Sequence, residues 1–263
     1  MKQFNFKFYL ILSIVINSSI IKSDISINDF DLNDVLNSGR NLMSIDNGLH
    51  YLEDKSESQN TLFIAVHGSD SQGYEWIYPL IVLDSSENLV SFFRYNDNLC
   101  PENTYLKLLK EISSVIETNK NIKKVILMGH SYGAMIVAMF PERWINDVEL
   151  IVHSVAGPLT GPISSSLKSS LFSKICDYSP PKNIRDNVDF FQWRTIKELD
   201  GAFNELKYDP QIIDLEGSTV VRLPDTYKGR RLGHNWSLSW VSEQLADSVS
   251  YTHLTLPTRT VVL

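Results

Sequence analysis

The stretch that decides the fold is Val125-Ile-Leu-Met-Gly-His-Ser-Tyr-Gly-Ala134. Four apolar residues, Val125 to Met128, run straight into Gly129-His130-Ser131-Tyr132-Gly133, and Ala134-Met-Ile-Val-Ala-Met139 follows without a breaker. That order reads as buried strand, one-residue corner and buried helix. Gly-x-Ser-x-Gly in this context is the pattern of a nucleophile elbow. A serine lifted off the end of a strand takes a strained backbone conformation with φ above zero. Side chains two positions to either side would then meet strand or helix, so Gly129 and Gly133 have to be small. The serine Oγ is held above the sheet at a helix N-terminus, where backbone N–H groups face developing negative charge. The plainer alternative is a Gly-rich turn that merely packs; the flanking strand and helix favour the elbow.

Working outward, apolar runs of strand length recur at Leu49–Glu53, Thr61–Val66, Leu89–Tyr95, Val148–Val155, Val188–Arg194 and Ser218–Leu223. Between them lie helical patterns. Tyr74–Leu83 is one, interrupted by Pro79. Pro101 opens another, in which Tyr105, Leu108, Leu109, Ile112, Val115 and Ile116 recur at spacings of three and four. Trp236–Leu245 reads as the final helix. Strands that are apolar on both faces and alternate with helices predict an α/β fold, a mostly parallel central sheet with helices on both faces. Such sheets place their sites at the carboxyl ends of the strands.

The chain has 263 residues and a net charge of −7, with the acidity spread along it. A nucleic-acid groove is not expected from that balance. No metal-ligand cluster and no cofactor motif stands out. Met1–Lys7 carries two lysines, Phe8–Ile16 is apolar and Asn17–Ser23 is small and polar. This is the order of a secretory signal peptide over residues 1–23, cleaved after Ser23 or Ser19; an uncleaved anchor is the alternative. The apolar core is short for a membrane span. Export would make Cys100 and Cys176 a candidate disulfide, against two free buried thiols. Residues 24–248 form the expected domain. Val249-Ser-Tyr-Thr-His-Leu-Thr-Leu-Pro-Thr258 reads as the translation of a transposon sequencing adapter, so 249–263 is set aside as an artefact tail, with a genuine extended tail as the alternative.

A serine nucleophile needs a base, a group to orient it and an oxyanion site. Of six histidines, His130 lies inside the elbow, His67 and His153 read as structural, His50 is early and His253 is in the tail. That leaves His234, on a loop after the last strand, as the base. The acid should follow Val188–Arg194. Asp200, with Gly201 permitting a tight turn, is preferred; Asp225 is the main rival, and Asp214 and Glu198 are weaker. The oxyanion donors are expected to be the backbone N–H groups of Tyr132 and Ser69, with Gly68 allowing close approach.

With these residues in place the chain resembles α/β-hydrolase-fold serine hydrolases over roughly Leu49 to Leu245. It keeps their order of Ser131, then Asp200, then His234, and the His67-Gly68 pair fits the same pattern. Trp193-Arg-Thr-x-x-Glu-Leu-Asp-Gly-Ala-Phe203 with Gly229-Arg-Arg-Leu-Gly-His-Asn-Trp-Ser237 is similar to a group of exported bacterial hydrolases of unsettled substrate. The resemblance implies hydrolysis of small-molecule carboxylic esters or thioesters through an acyl-enzyme. A peptidase, an acyltransferase or a silent binding protein on the same scaffold are the alternatives. Where relatives carry a lid after the sixth-strand equivalent, residues 157–181 are short here. Leu159, Ile163, Leu167, Leu171 and Phe172 suggest a small, partly helical cap, or else a surface helix packed on the core.

Overall fold

The computed structural model describes residues 25–161 and 176–250, the side chains of 248–250 excepted. The signal-peptide segment, the centre of the proposed cap (162–175) and the tail from 251 onward lie outside the described residues.

Thr61–Val66 (β2) is buried along its whole length, and its alternation shows why. Leu62, Ile64 and Val66 enter one apolar cluster, with Leu108, Ile112 and Val115 of helix α3 (Pro101–Thr118) and with Met135, Ile136 and Val137 of α4 (Tyr132–Val137). Phe63 and Ala65 enter the other, with Leu42 of α1 (Val35–Met43) and with Trp76, Ile77 and Leu80 of α2 (Tyr74–Val82). Leu238 and Val241 of the last helix, α6 (Trp236–Ser250), complete that layer. A strand covered on both faces has no polar face to show, so its sequence reads as an unbroken apolar run. Each fully buried side chain of this size contributes roughly 1.5–3 kcal/mol.

The sheet has seven strands. With β1 (Gly48–Tyr51), β3 (Asn88–Arg94), β4 (Lys124–His130), β5 (Glu149–Val155), β6 (Val188–Arg194) and β7 (Thr219–Arg222), the order is β1-β3-β2-β4-β5-β6-β7. Only β1 is antiparallel, pairing Gly48 with Arg94 at one edge. All other neighbours are parallel, so β4 has parallel partners on both sides and its C-terminal end opens at the middle of the sheet. A small hairpin, β8 (Thr226–Tyr227) with β9 (Arg230–Arg231), precedes α6.

Several local expectations are corrected. Pro79 does not interrupt α2, which runs through it. The missing N–H frees one carbonyl, while Trp76, Ile77 and Leu80 on the buried face hold the helix to the sheet. The apolar run after Ser131 is cut in two: α4 ends at Val137 and a short α5 (Phe140–Arg143) follows. Pro141 cannot donate to the Val137 carbonyl, which ends the first helix. Leu159, expected in a cap, is buried in the core beside α4. The last helix continues to Ser250, two residues into the run set aside as a tail.

Cys100 and Cys176 are joined as a disulfide, with Cα atoms 5.4 Å apart and a sequence separation of 76. Cys100 is the residue before α3. In the chain-entropy account a closed loop of this length stabilises by on the order of 4 kcal/mol. Among the described residues no helix is long and apolar enough to cross a membrane.

Candidate active site

β4 ends at His130 and α4 begins at Tyr132, so Ser131 alone makes the corner, with φ 55° and ψ −119°. This is a left-handed value for a residue with a Cβ, and such strain persists only where the surroundings over-determine it. The Ser131 N–H is tied to Val155 O on the neighbouring strand at 3.0 Å. A Cβ on Gly129 would lie 2.4 Å from Gly133 O, and one on Gly133 would lie 2.2 Å from Val66 O. Both are backbone collisions, which is why the motif has glycine at each end.

His234 stands on the loop before α6, and its ring packs between His130 (centroids 4.7 Å) and the edge of Phe203 (5.1 Å). Its carbonyl accepts from His130 Nε2 at 3.1 Å and from Ser237 Oγ at 2.5 Å. Its Nδ1 donates to Asp200 Oδ2 at 3.0 Å, which leaves Nε2 as the unprotonated nitrogen of the neutral ring. His234 and Ser131 border one cavity of about 80 Å³. Ser131 Oγ makes no hydrogen bond with any described residue.

Asp200 is fully buried. Burial alone would raise its pKa, but donors outweigh it: His234 first, then Thr195 Oγ1 at 2.6 Å and the Ala202 N–H at 2.8 Å on Oδ1. The carboxyl therefore sits below its usual range. The Ala202 bond makes an Asx turn, and the Phe203 N–H closes a tight turn on Asp200 O at 3.1 Å, with Gly201 inside it and not left-handed. The rival acids are elsewhere. Asp225 is exposed and bonds Thr226, Asp214 is exposed, and Glu198 pairs with Lys197 at the surface.

Two residues of this network were not anticipated. Thr195 donates to Asp200, and Gln211 holds Thr195 by accepting its N–H at 2.9 Å and donating to its carbonyl at 3.1 Å. A polar residue directly after β6 was the one available signal for Thr195. Gln211, sixteen residues away, had none.

The loop after β2 is fixed by His67, which is buried and stacked on Tyr95 at 4.2 Å. Its Nε2 accepts the Tyr95 N–H at 3.3 Å, so Nδ1 carries the proton and donates to Gly68 O at 2.7 Å. In a trans peptide the next N–H points away from that carbonyl, so the direction of the Ser69 N–H is set by His67. Tyr95 also donates its hydroxyl to His67 O at 2.6 Å, and Tyr132 donates its own to Leu99 O at 2.8 Å. Gly68 approaches so closely that a Cβ there would be 2.9 Å from the Ser131 Cβ.

Three buried histidines are held neutral. Burial pushes His67 down to about 4, and His130 and His153 down to about 3. His153 accepts from Trp193 Nε1 at 3.1 Å, a satisfied core histidine. The unfolded chain takes up these protons near pH 6.5 and the folded one does not. Stability is therefore fully present above about pH 6.5 and falls by several kcal/mol as pH drops towards about 4. Urea midpoints measured across that range should decline steadily; a flat profile would mean that these rings are not buried as neutral species.

Among the described residues no group of three His, Cys, Asp or Glu could hold a metal ion.

No protein-family model and no curated protein matches the chain. Among solved structures it is similar to a protein from Silicibacter sp. provisionally assigned as a thioesterase, at 15% identity over 90% of this chain and 97% of that one, with a TM-score of 0.53. It is also similar to Est1E from Butyrivibrio proteoclasticus, at 13% identity over 77% and 91%, with a TM-score of 0.49. XC6422 from Xanthomonas campestris, an α/β serine hydrolase without lid, is similar at 15% identity over 80% and 89%, with a TM-score of 0.45. At such identities likeness speaks for the fold alone. The Silicibacter likeness, the strand order and the corner after β4 together define an α/β-hydrolase fold.

Proposed function

We propose that this protein is an exported serine hydrolase that cleaves carboxylic esters or thioesters of small molecules. The observation that carries the reading is the convergence of a strained Ser131, the Asp200–His234 pair and two unlike backbone segments on one small cavity. Ser131 Oγ attacks the acyl carbonyl and His234 Nε2 takes its proton. Asp200 holds the imidazole in that tautomer and stabilises the imidazolium. The N–H groups of Tyr132 and Ser69 receive the oxyanion, and His234 then protonates the leaving group. Water, activated by the same nitrogen, attacks the acyl-enzyme and releases the acid. The Ser131–His234 bond forms when substrate aligns the serine, since such bonds are often long without it. Export rests on the charged, apolar, small-residue order of 1–23, and the Cys100–Cys176 bridge suits an oxidising compartment.

The test is covalent labelling of the folded protein with a fluorophosphonate, followed by peptide mapping. The expected product is a single adduct on Ser131. Folded protein that stays unlabelled would instead favour a binding role for the scaffold.

A further inference from the structure

The cavity beside Ser131 is small and polar. At about 80 Å³ it has room for a handful of non-hydrogen atoms, a water's share of the liquid being about 30 Å³. Its acidic side chains are Asp70 and Glu75, and no Lys or Arg borders it among the described residues. Asp200 lies behind His234 and is matched by it.

Glu75 is the unusual wall. It is in the first turn of α2, yet only 7% exposed. Its Oε1 accepts from Ser71 Oγ, and that hydroxyl oxygen accepts the Gly73 N–H at 3.1 Å, so the serine is fixed with its proton on Glu75. Oε2 is enclosed and has no hydrogen-bond partner among the described residues. A buried carboxylate oxygen without a donor is costly, and nothing in the packing asks for one. The next residues of the same helix, Trp76 and Ile77, are fully buried apolar side chains. The guanidinium at the end of β3 is engaged elsewhere: Arg94 donates to Met43 O at 3.2 Å and to Tyr95 O.

The missing partner is therefore a donor that arrives with the ligand. A recess lined by two carboxylates, Glu75 buried and Asp70 exposed at its rim, concentrates cations and repels anions. An ammonium is compact, carries three donors and matches the charge. We propose that Glu75 recognises a protonated amine on the acyl part of the substrate, so that the preferred substrates are small esters with an ammonium group next to the carbonyl, of the aminoacyl type. The word ester rests on the hydrolase reading above; the recognition of the amine does not.

The experiment separates the two. Alanine ethyl ester and ethyl isobutyrate have nearly the same shape, with a methyl group in place of the ammonium. Their affinities for Ser131→Ala protein are measured by NMR titration, and their hydrolysis by wild type in parallel. The amine ester should bind at least about tenfold more tightly, as expected of a desolvated charge pair. That ratio should fall towards one in Ser131→Ala/Glu75→Gln and part-way in Ser131→Ala/Asp70→Asn. Asp70 has a φ of 52°, a conformation that asparagine tolerates, so the second variant keeps the fold. Equal affinities for the two esters, or a preference that survives in folded Glu75→Gln protein, would overturn the proposal. If the amine binds selectively but neither ester is cleaved, the hydrolase reading falls and the recognition stands. If both esters are cleaved with no preference in binding or in kcat/KM, the outcome is the reverse.

Discussion

Ser131→Ala is expected to lower kcat/KM on p-nitrophenyl acetate by about 10⁵–10⁶-fold, leaving the slow residual rate that oxyanion donors and binding supply by themselves. The substitution removes one oxygen and keeps the Cβ that sits at φ 55°, so the corner and the bond from its N–H to Val155 O are retained. Folding should therefore be untouched while turnover collapses, and circular dichroism with urea titration checks the first half of that statement. The contrast with Ser131→Gly is informative. Glycine has no Cβ to strain at positive φ, so that variant should be inactive and slightly more stable than wild type, by about 1 kcal/mol. Equal rates in wild type and Ser131→Ala would defeat the mechanism outright.

Asp200→Asn should cost about 10³–10⁴-fold in kcat at neutral pH, because the amide cannot accept at every place the carboxylate does. Oδ2 receives His234 Nδ1–H and the Thr195 hydroxyl, and Oδ1 receives the Ala202 N–H. If the NH₂ replaces Oδ2, His234 must present a bare Nδ1 and carry its proton on Nε2, the wrong tautomer for accepting from Ser131. If the NH₂ replaces Oδ1, it opposes the Ala202 N–H, donor against donor. Either orientation leaves a buried group unmatched, so a loss of about 1–3 kcal/mol in stability should accompany the loss of rate. Asp225→Asn, on an exposed carboxylate bonded to Thr226, is the control and should stay within a few-fold of wild type. An Asp225 effect as large as that of Asp200 would redraw the acid.

These residues also show what the sequence made legible. β2 and β4 were readable because central parallel strands are apolar on both faces, and Thr61–Val66 is recovered to the residue. The elbow was readable because its glycines answer collisions with backbone atoms, which no neighbouring side chain can relieve. Choosing Asp200 over Asp225 was harder, since both follow strands at plausible distances. Burial separates them, and burial is a property of the packed molecule. Thr195 and Gln211 were illegible for the same reason: Thr195 reaches the acid only once their shared loop has folded back, and Gln211, sixteen residues on, reaches Thr195 and not the acid. Pro79 misled: it was expected to interrupt its helix and is held in place by tertiary packing.

The hydroxyl of Tyr132 ends on the carbonyl of Leu99, and the next residue along the chain is one half of the Cys100–Cys176 bridge. The peptide N–H to which the proposed mechanism gives the oxyanion thus has its own aromatic ring as a strut, footed beside a covalent crosslink. A donor braced in this way has no reorienting to do at the moment the carbonyl oxygen becomes negative. On the proposed mechanism the crosslink serves rate as well as durability, because reducing it loosens the footing of that ring.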